Sequence, residues 1–482
     1  MTHRERRRMT RSTLIVGAGE AGILLVRDLR ASGHGRFECI GFVDDDRGKH
    51  GVLVEGLPVF GPADDIPALV HRYRIDEVFI AIPSAPAPVI RRLVALCRAS
   101  GVPCLTTPSV SDLSECRVTL KQMRGVRIED LLGRAPVVFD AASIRQTLQG
   151  RCVLVTGAGG SIGSEIARQV AAASPSTLVL VDRAESDLYD IECDIRRAHP
   201  ALTLEAAVTD ILDAPDVDAV FAAHRPARVY HAAAYKHVPL MERHAVAAAR
   251  NNVIGTAVVA EAALKYGAER FVLLSSDKAV RPTSLMGATK RAAERVVLAL
   301  SGGATLFTAV RFGNVLASRG SVVPLFQKQI AAGGPVTVTD PEVVRYFMTV
   351  QEAVHLVLRA SIDGAGGEIF HLDMGESVRI ADLAEQLIRL SGLEPGIDIE
   401  IKYTGLRPGE KLLEELLVEG DTVEPTRHPK IFTLRERLLP LSREWIADLS
   451  AAVTRRDADR IIALLRLAAP EYAPGHGASL PR

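Results

Sequence analysis

A CxxC pair is missing from this 482-residue chain, and its six cysteines, Cys39, Cys97, Cys104, Cys116, Cys152 and Cys193, are scattered without pattern. That excludes a zinc ribbon or a disulfide framework and leaves reduced thiols, small buried hydrophobes of a cytoplasmic protein. Net charge is missing too: 58 Lys and Arg balance 58 Asp and Glu, so no overall positive field draws nucleic acid. No uncharged apolar run reaches the roughly 18–20 residues of a bilayer span, and the start lacks the apolar core of a signal peptide. Aromatics are scarce at 5%, yet 48% hydrophobic and 24% charged residues make a folded chain rather than a disordered one. At this length the chain should divide into two or three domains. Its opening, MTHRERRRMTR, is strongly basic and reads as a solvated tail, or as the cytoplasmic flank of a membrane anchor that the sequence does not contain.

Two nucleotide-fold openings are present. STLIVGAGEAGILLVRDL reads as a buried strand, a glycine turn with Gly17, Gly19 and Gly22 in GxGxxG spacing, and an amphipathic helix. Asp44 ends the next strand, where a carboxylate accepts from ribose hydroxyls. A lone GxGxxG is weak, and a structural module with an empty crevice reads equally well. The second opening is stronger. RCVLVTGAGGSIGSEIARQV gives a strand, then Gly157, Gly160 and Gly163, then a helix beginning at Ser161 and Ile162, the context that lets backbone N–H groups meet a pyrophosphate. Asp182 ends the following strand and would repel a 2′-phosphate, favouring NAD over NADP; Arg183 beside it weakens that preference. Asp210 and Ile211 end a third strand, beside an adenine or simply at a turn.

The residues that could do chemistry come later. Lys236 and His237 follow the carboxyl end of a buried strand, where doubly wound folds place ligands. Asn252 reads either as the residue holding the helix behind the site or as an ordinary helix hydrogen bond. Ser276, Asp277 and Lys278 emerge together at another strand end, an acid and an amine side by side. Met286 and Lys290 stack at i and i+4 on one helix face, the spacing of the Tyr-x-x-x-Lys pair of short-chain dehydrogenases. Methionine carries no proton and reads as packing; Lys290 can still hold a ribose. Arg311, Asn314, Ser321, Arg345, Arg407 and Glu410 are candidates for a substrate diphosphate, which arginine forks bind two oxygens at a time.

The ordered runs TGAGGSIGSE, HAAAYKHVPLME, SSDKAVRPTSLMGATKR, RFGNVLASRGSVVPLF, VTDPEVVRYFMTVQEA and GLRPGEKLLEEL resemble the nucleotide-sugar 4,6-dehydratases of polysaccharide biosynthesis, in the extended short-chain dehydrogenase superfamily. More narrowly, the chain resembles the large bacterial UDP-N-acetylglucosamine 4,6-dehydratases over residues 12–435. The resemblance implies NAD-dependent oxidation at sugar C4, loss of water across C5 and C6, and hydride return to C6. Asp277 would protonate the leaving hydroxyl and Lys278 would take the C5 proton, with Ser276 beside them. The C4 hydroxyl proton would go to Lys278, to Lys290 through the ribose, or to water. Methionine at position 286 points to the configuration-retaining subgroup. Large members usually begin with transmembrane helices, absent here, so the resemblance implies a soluble member or membrane association through a missing N-terminal anchor. It also implies a homo-oligomer joined through helices beside the active-site helix.

The expected fold is α/β: a basic tail 1–11, an N-terminal Rossmann-like domain 12–135, a linker 136–150, an extended short-chain dehydrogenase domain with a smaller substrate-binding subdomain 151–435, and a helical tail 436–482. The expected ligand is a UDP-sugar, with no metal. Alternative readings are a nucleotide-sugar 4-epimerase on the same scaffold and a non-catalytic nucleotide-sensing protein.

Overall fold

The computed structural model describes residues 10–31, 37–107, 123–127, 130, 139–316, 318–417, 422–435 and 441–474. Most of the basic tail, Cys116 and residues 136–138 of the expected linker lie outside them. The chain divides into two compact units, Met1–Phe139 and Asp140–Arg482.

In the first unit, strands β1 (Arg11–Val16), β2 (Phe37–Val43), β3 (Glu77–Ile80), β4 (Cys104–Thr106) and β5 (Arg124–Gly125) form one sheet in the order β2-β1-β3-β4-β5. The helix α1 (Glu20–Ala31) follows β1. A Cβ on Gly22 would lie 2.0 Å from the Gly17 carbonyl oxygen, so only glycine lets the helix start rest on the turn. Asp44 is already engaged there, accepting from Ala18 N at 2.8 Å and from Lys49 Nζ at 2.9 Å.

The second unit opens with a helix, not a linker: α2 (Ala141–Leu148) is capped by Asp140, which accepts from Ser143 N at 3.1 Å, and it buries Ile144 and Leu148. Asp140 through Leu148 thus lie in the second unit, within the 136–150 span expected as a connector. Next come β6 (Cys152–Thr156), α3 (Ser161–Ala172), β7 (Thr177–Asp182), β8 (Thr203–Val208), β9 (Arg228–His231), β10 (Arg270–Leu274), α4 (Leu285–Ala299), β11 (Leu306–Arg311), β12 (Ile369–Leu372), β13 (Thr422–Pro425) and β14 (Ile431–Arg435). The sheet order is β8-β7-β6-β9-β10-β11-β12-β14-β13. Pairing is parallel from β8 to β12, with β14 and β13 antiparallel at the edge. Strands buried on both faces read as unbroken apolar runs, such as Val153–Val155. The order reverses between β6 and β9, where such sheets open a ligand crevice at their carboxyl ends. Smaller sheets built from Asn314–Val315, Val344–Met348 and Ser377–Arg379, and from Val336–Val338 and Ile401–Tyr403, form the subdomain beside it.

The helix α4 is buried along almost its whole length. The tail supplies the cover: α5 (Arg443–Thr454) and α6 (Ala458–Ala468) bring Trp445, Leu449, Leu464 and Leu465 onto Leu285, Ala288, Ala292 and Val296. Ala288 and Ala292 let the helices approach closely. Arg295 donates to the Ala468 carbonyl at 2.6 Å, and Arg291 Nε meets Glu471 at 2.8 Å. This face of α4 is thus occupied by the chain's own C-terminal helices. No helix among the described residues is long and apolar enough to cross a membrane.

Candidate active site

The glycine turn after β6 sets the crevice. Gly157 has φ +68°, and a Cβ there would lie 2.7 Å from Ala233 N; one on Gly163 would lie 2.0 Å from the Gly157 oxygen. Backbones from β6, β9 and α3 therefore meet at a closeness no side chain permits. Gly160 precedes Ser161 and Ile162, which open α3. Asp182 Oδ2 accepts from Gly159 N at 2.9 Å and Oδ1 from Ala184 N at 3.0 Å, so the carboxylate stands at the lip of the turn. Asp210 accepts from Leu212 N at 3.0 Å as a strand-end turn residue and lies 3.7 Å from Arg183. Arg183 donates to the Tyr235 hydroxyl at 2.6 Å and stacks 4.9 Å from its ring. Ile211 is buried, packed where a Cβ on Gly255 would meet it at 2.6 Å. All nine residues expected at the nucleotide turn and strand ends thus gather at the carboxyl ends of β6, β7 and β8.

Beyond β9, buried His231 lies between the hydroxyls of Thr156 at 2.7 Å and Thr256 at 3.0 Å. Burial, with Lys290 nearby, pushes its pKa down to about 3, so the ring is neutral. Lys236 and His237 follow at the surface. The Asn252 side chain accepts from Tyr235 N at 2.8 Å and donates to Tyr235 O at 3.0 Å and Thr289 Oγ1 at 3.1 Å. It clamps the loop after β9 to α4, the structural reading of the two.

Asp277 and Lys278 form the centre of the site. Asp277 is buried; its Oδ1 accepts from Ser276 Oγ at 2.8 Å and Lys278 Nζ at 3.0 Å, while its buried Oδ2 has no hydrogen-bond partner. An unanswered carboxylate oxygen costs on the order of 1–3 kcal/mol or more, which a substrate hydroxyl would relieve. Lys278 also reaches Asn314 Oδ1 at 3.2 Å and Glu414 at 3.7 Å. Burial pulls its pKa down, but the two carboxylates outweigh that and hold the ammonium above its ordinary value. At rest Lys278 is therefore an ammonium.

Met286, 2% exposed, packs with Val238, Met241 and Ala248, an apolar setting that agrees with packing rather than proton transfer. Lys290 Nζ donates to the Leu274 carbonyl at 2.7 Å, and burial lowers its pKa from 10.5 to about 8, with Glu294 opposing. Two ammonium hydrogens remain for a ribose. Between pH about 8 and 10.5 the unfolded chain holds this proton and the folded chain has lost it, so unfolding free energy should climb with pH across that window. The wild-type minus Lys290→Met difference in denaturant unfolding measures it; a flat difference would contradict the burial argument.

The diphosphate candidates divide. Arg311 is excluded: 1% exposed, it pairs through two bonds with fully buried Glu294, at 2.8 and 2.7 Å. Arg345 spends its guanidinium on the carbonyls of Val344, Lys411 and Leu412, bracing that loop, and is likewise not a free phosphate fork. Arg407 and Glu410 pair with each other at the surface. Asn314 joins the Lys278 cluster, and Ser321 keeps a buried hydroxyl without a partner. The residue that sequence reasoning missed is Arg319. Its N–H donates to Ser161 Oγ at 3.0 Å, and its guanidinium meets Asp187 at 2.5 Å and the Gly159 carbonyl. It lays the Ser318–Ser321 loop over the glycine turn, and a Cβ on neighbouring Gly320 would touch the His237 ring at 2.6 Å. Glu414, the second carboxylate on Lys278, was missed as well.

Comparison with known proteins agrees with this architecture. A family described as "CoA-binding domain" matches residues 1–108, and one described as "Polysaccharide biosynthesis protein" matches residues 153–436. The chain is 44% identical over 426 residues to the capsular polysaccharide biosynthesis protein CapD of Staphylococcus aureus, covering 88% of this chain and 71% of that one. It is 34% identical over 275 residues to a UDP-glucose 4-epimerase of Rickettsia canadensis, covering 56% and 79%. The X-ray structure of Pen from Bacillus thuringiensis superposes with a TM-score of 0.56 at 32% identity, over 61% of this chain and 92% of that one. A match over more than half the chain, centred on the crevice and its Asp–Lys pair, places this protein in the polysaccharide biosynthesis protein family.

Proposed function

We propose that the second unit is an NAD-dependent enzyme acting on a UDP-sugar, and that its reaction is the 4,6-dehydration of UDP-N-acetylglucosamine to the 4-keto-6-deoxy sugar. The observation that carries this is the Asp277–Lys278 pair with one buried carboxylate oxygen unanswered, beside a methionine where proton transfer would otherwise centre. The glycine turn and Asp182 suit a dinucleotide, and Arg183, committed to Tyr235, leaves a 2′-phosphate without a ready partner. Bound NAD supplies the oxidation at C4 and the matching reduction at C6.

The chain's own groups handle protons. Elimination needs an acid at the C6 hydroxyl and a base at C5. Lys278 Nζ donates to Asp277 Oδ1 across 3.0 Å, so a proton shifted along that hydrogen bond gives the carboxylic acid and free amine required. A sugar that displaces water favours that neutral form, since low dielectric penalises the separated charges. The C4 hydroxyl proton leaves to water or through the ribose to Lys290, Asp277 protonates the leaving hydroxyl, Lys278 takes the C5 proton, and a solvent proton returns to C5 as hydride reaches C6. Lys290 holds the ribose, and Ser276 keeps Asp277 oriented.

A 4-epimerase on the same scaffold is the second reading, and the named activity of the Rickettsia relative favours it. Epimerisation needs no acid at O6, which leaves the Asp277–Lys278 pair without a task. Mass spectrometry of UDP-N-acetylglucosamine incubated with the protein separates the two: dehydration predicts a product lighter by one water, and a product of unchanged mass supports the epimerase. No product from any UDP-sugar would favour a nucleotide-sensing protein.

A further inference from the structure

A cavity of about 720 Å³ opens in the second unit between the loop after β9 and the tail helices α5 and α6. Four arginines line it: Arg183, Arg243, Arg250 and Arg456. Arg183 is engaged by Tyr235 and Asp210. The side chains of the other three make no hydrogen bond or ion pair with any described residue. The two carboxylates in the wall are committed elsewhere, Asp210 to Leu212 N and Arg183, Glu242 to Leu285 N at 2.5 Å. All three of these arginines are exposed, and their guanidiniums are forked donors that no described side chain answers.

The remaining wall is mixed, with Val246, Val453 and Ile462 beside the polar His244, Asn251 and Thr454, and the volume falls within the roughly 300–1,000 Å³ of small-molecule sites. Arg456 sits at the α5–α6 turn with φ +57°, a left-handed position where glycine would be relaxed and a long side chain is strained.

We propose that this cavity binds a phosphorylated small molecule carrying at least two negative charges, its phosphates on Arg243, Arg250 and Arg456 and its organic part against Val246 and Ile462. The cavity shares Arg183 and Asp210 with the nucleotide edge of the crevice, but Arg243, Arg250 and Arg456 are not crevice residues, and the proposal does not depend on the reaction assigned there. Its occupant would touch Leu285, the first residue of α4, and Asn251, which donates to Asn252 at 3.1 Å, so binding is transmitted to the helix that carries Lys290.

Inorganic pyrophosphate is the probe, titrated calorimetrically into the full chain saturated with NAD and UDP, which fill the phosphate positions of the crevice. One pyrophosphate site is expected to persist, weakened about tenfold or more by each of Arg243→Gln, Arg250→Gln and Arg456→Gly. The glycine substitution suits the local φ, and an unchanged thermal midpoint checks the fold. Separate NAD and UDP titrations report on the crevice, so failure there is distinguishable from failure here. No persisting site, or one that all three substitutions leave unchanged, overturns the proposal. Binding seen only on vesicles containing phosphatidic acid also overturns it, by assigning the arginines to a lipid surface.

Discussion

Replacing Asp277 by asparagine should lower turnover by about 10²–10⁴-fold, the usual contribution of a positioned acid or base, while NAD affinity stays unchanged. Asparagine keeps the shape and can still accept from Lys278 at the 3.0 Å position, but it cannot accept and return a proton. Asp277 lies outside the glycine turn that would meet the dinucleotide, so binding and turnover should separate. Lys278, left without its carboxylate neighbour but still 3.7 Å from Glu414, stays partly compensated, which protects the fold. Full turnover in Asp277→Asn would remove the acid from the mechanism.

A second large effect belongs to stability. Glu294 is fully buried and accepts two bonds from Arg311, one from Ser275 Oγ at 2.5 Å and one from Arg291 at 3.2 Å. Burial works to raise its pKa, yet Arg311 and Arg291 overcome that and hold the carboxyl below its ordinary value. Glu294→Ala leaves Arg311 charged and enclosed, and losing one partner of such a pair costs about 3–5 kcal/mol. Denaturant unfolding should show a loss of that size. A loss under about 1 kcal/mol would mean that water reaches Arg311 when the carboxylate is gone. The network also ties the end of β10, which leads to Asp277, to α4 and to Arg291, the partner of Glu471 in the tail.

These residues mark how far the sequence could be read. The glycine turns, Asp182, and the emergence of Asp277 and Lys278 at a strand end follow from local patterns, because strand, turn and helix lie consecutively in the chain. Met286 was legible as packing because thioether chemistry offers no proton. Arg311 was not legible as a structural residue: its motif suits phosphate binding, and only the folded sheet shows its side chain turned toward Glu294. Arg345 fails likewise, since two of the three carbonyls it braces lie 66 and 67 residues away. Arg319 carries a weak local signal, the neighbouring Gly320 at φ +70°, but its place over the Gly159 turn depends on a contact across 160 residues. Asp140, a helix-capping aspartate, is a readable start for the helix that opens the second unit. The cover on α4 is a packing outcome: apolar stripes at helical spacing in residues 443–468 predict helices, not the face they choose.

The most direct measurement follows hydrogen itself. UDP-N-acetylglucosamine carrying deuterium at C4 is incubated with the protein and NAD, and the product is read by mass spectrometry and NMR. Dehydration predicts a 4-keto product that has lost one water and carries the deuterium at C6, with one solvent-derived hydrogen at C5. Deuterium retained at C4 in a product of unchanged mass would contradict the account and assign the site to epimerisation.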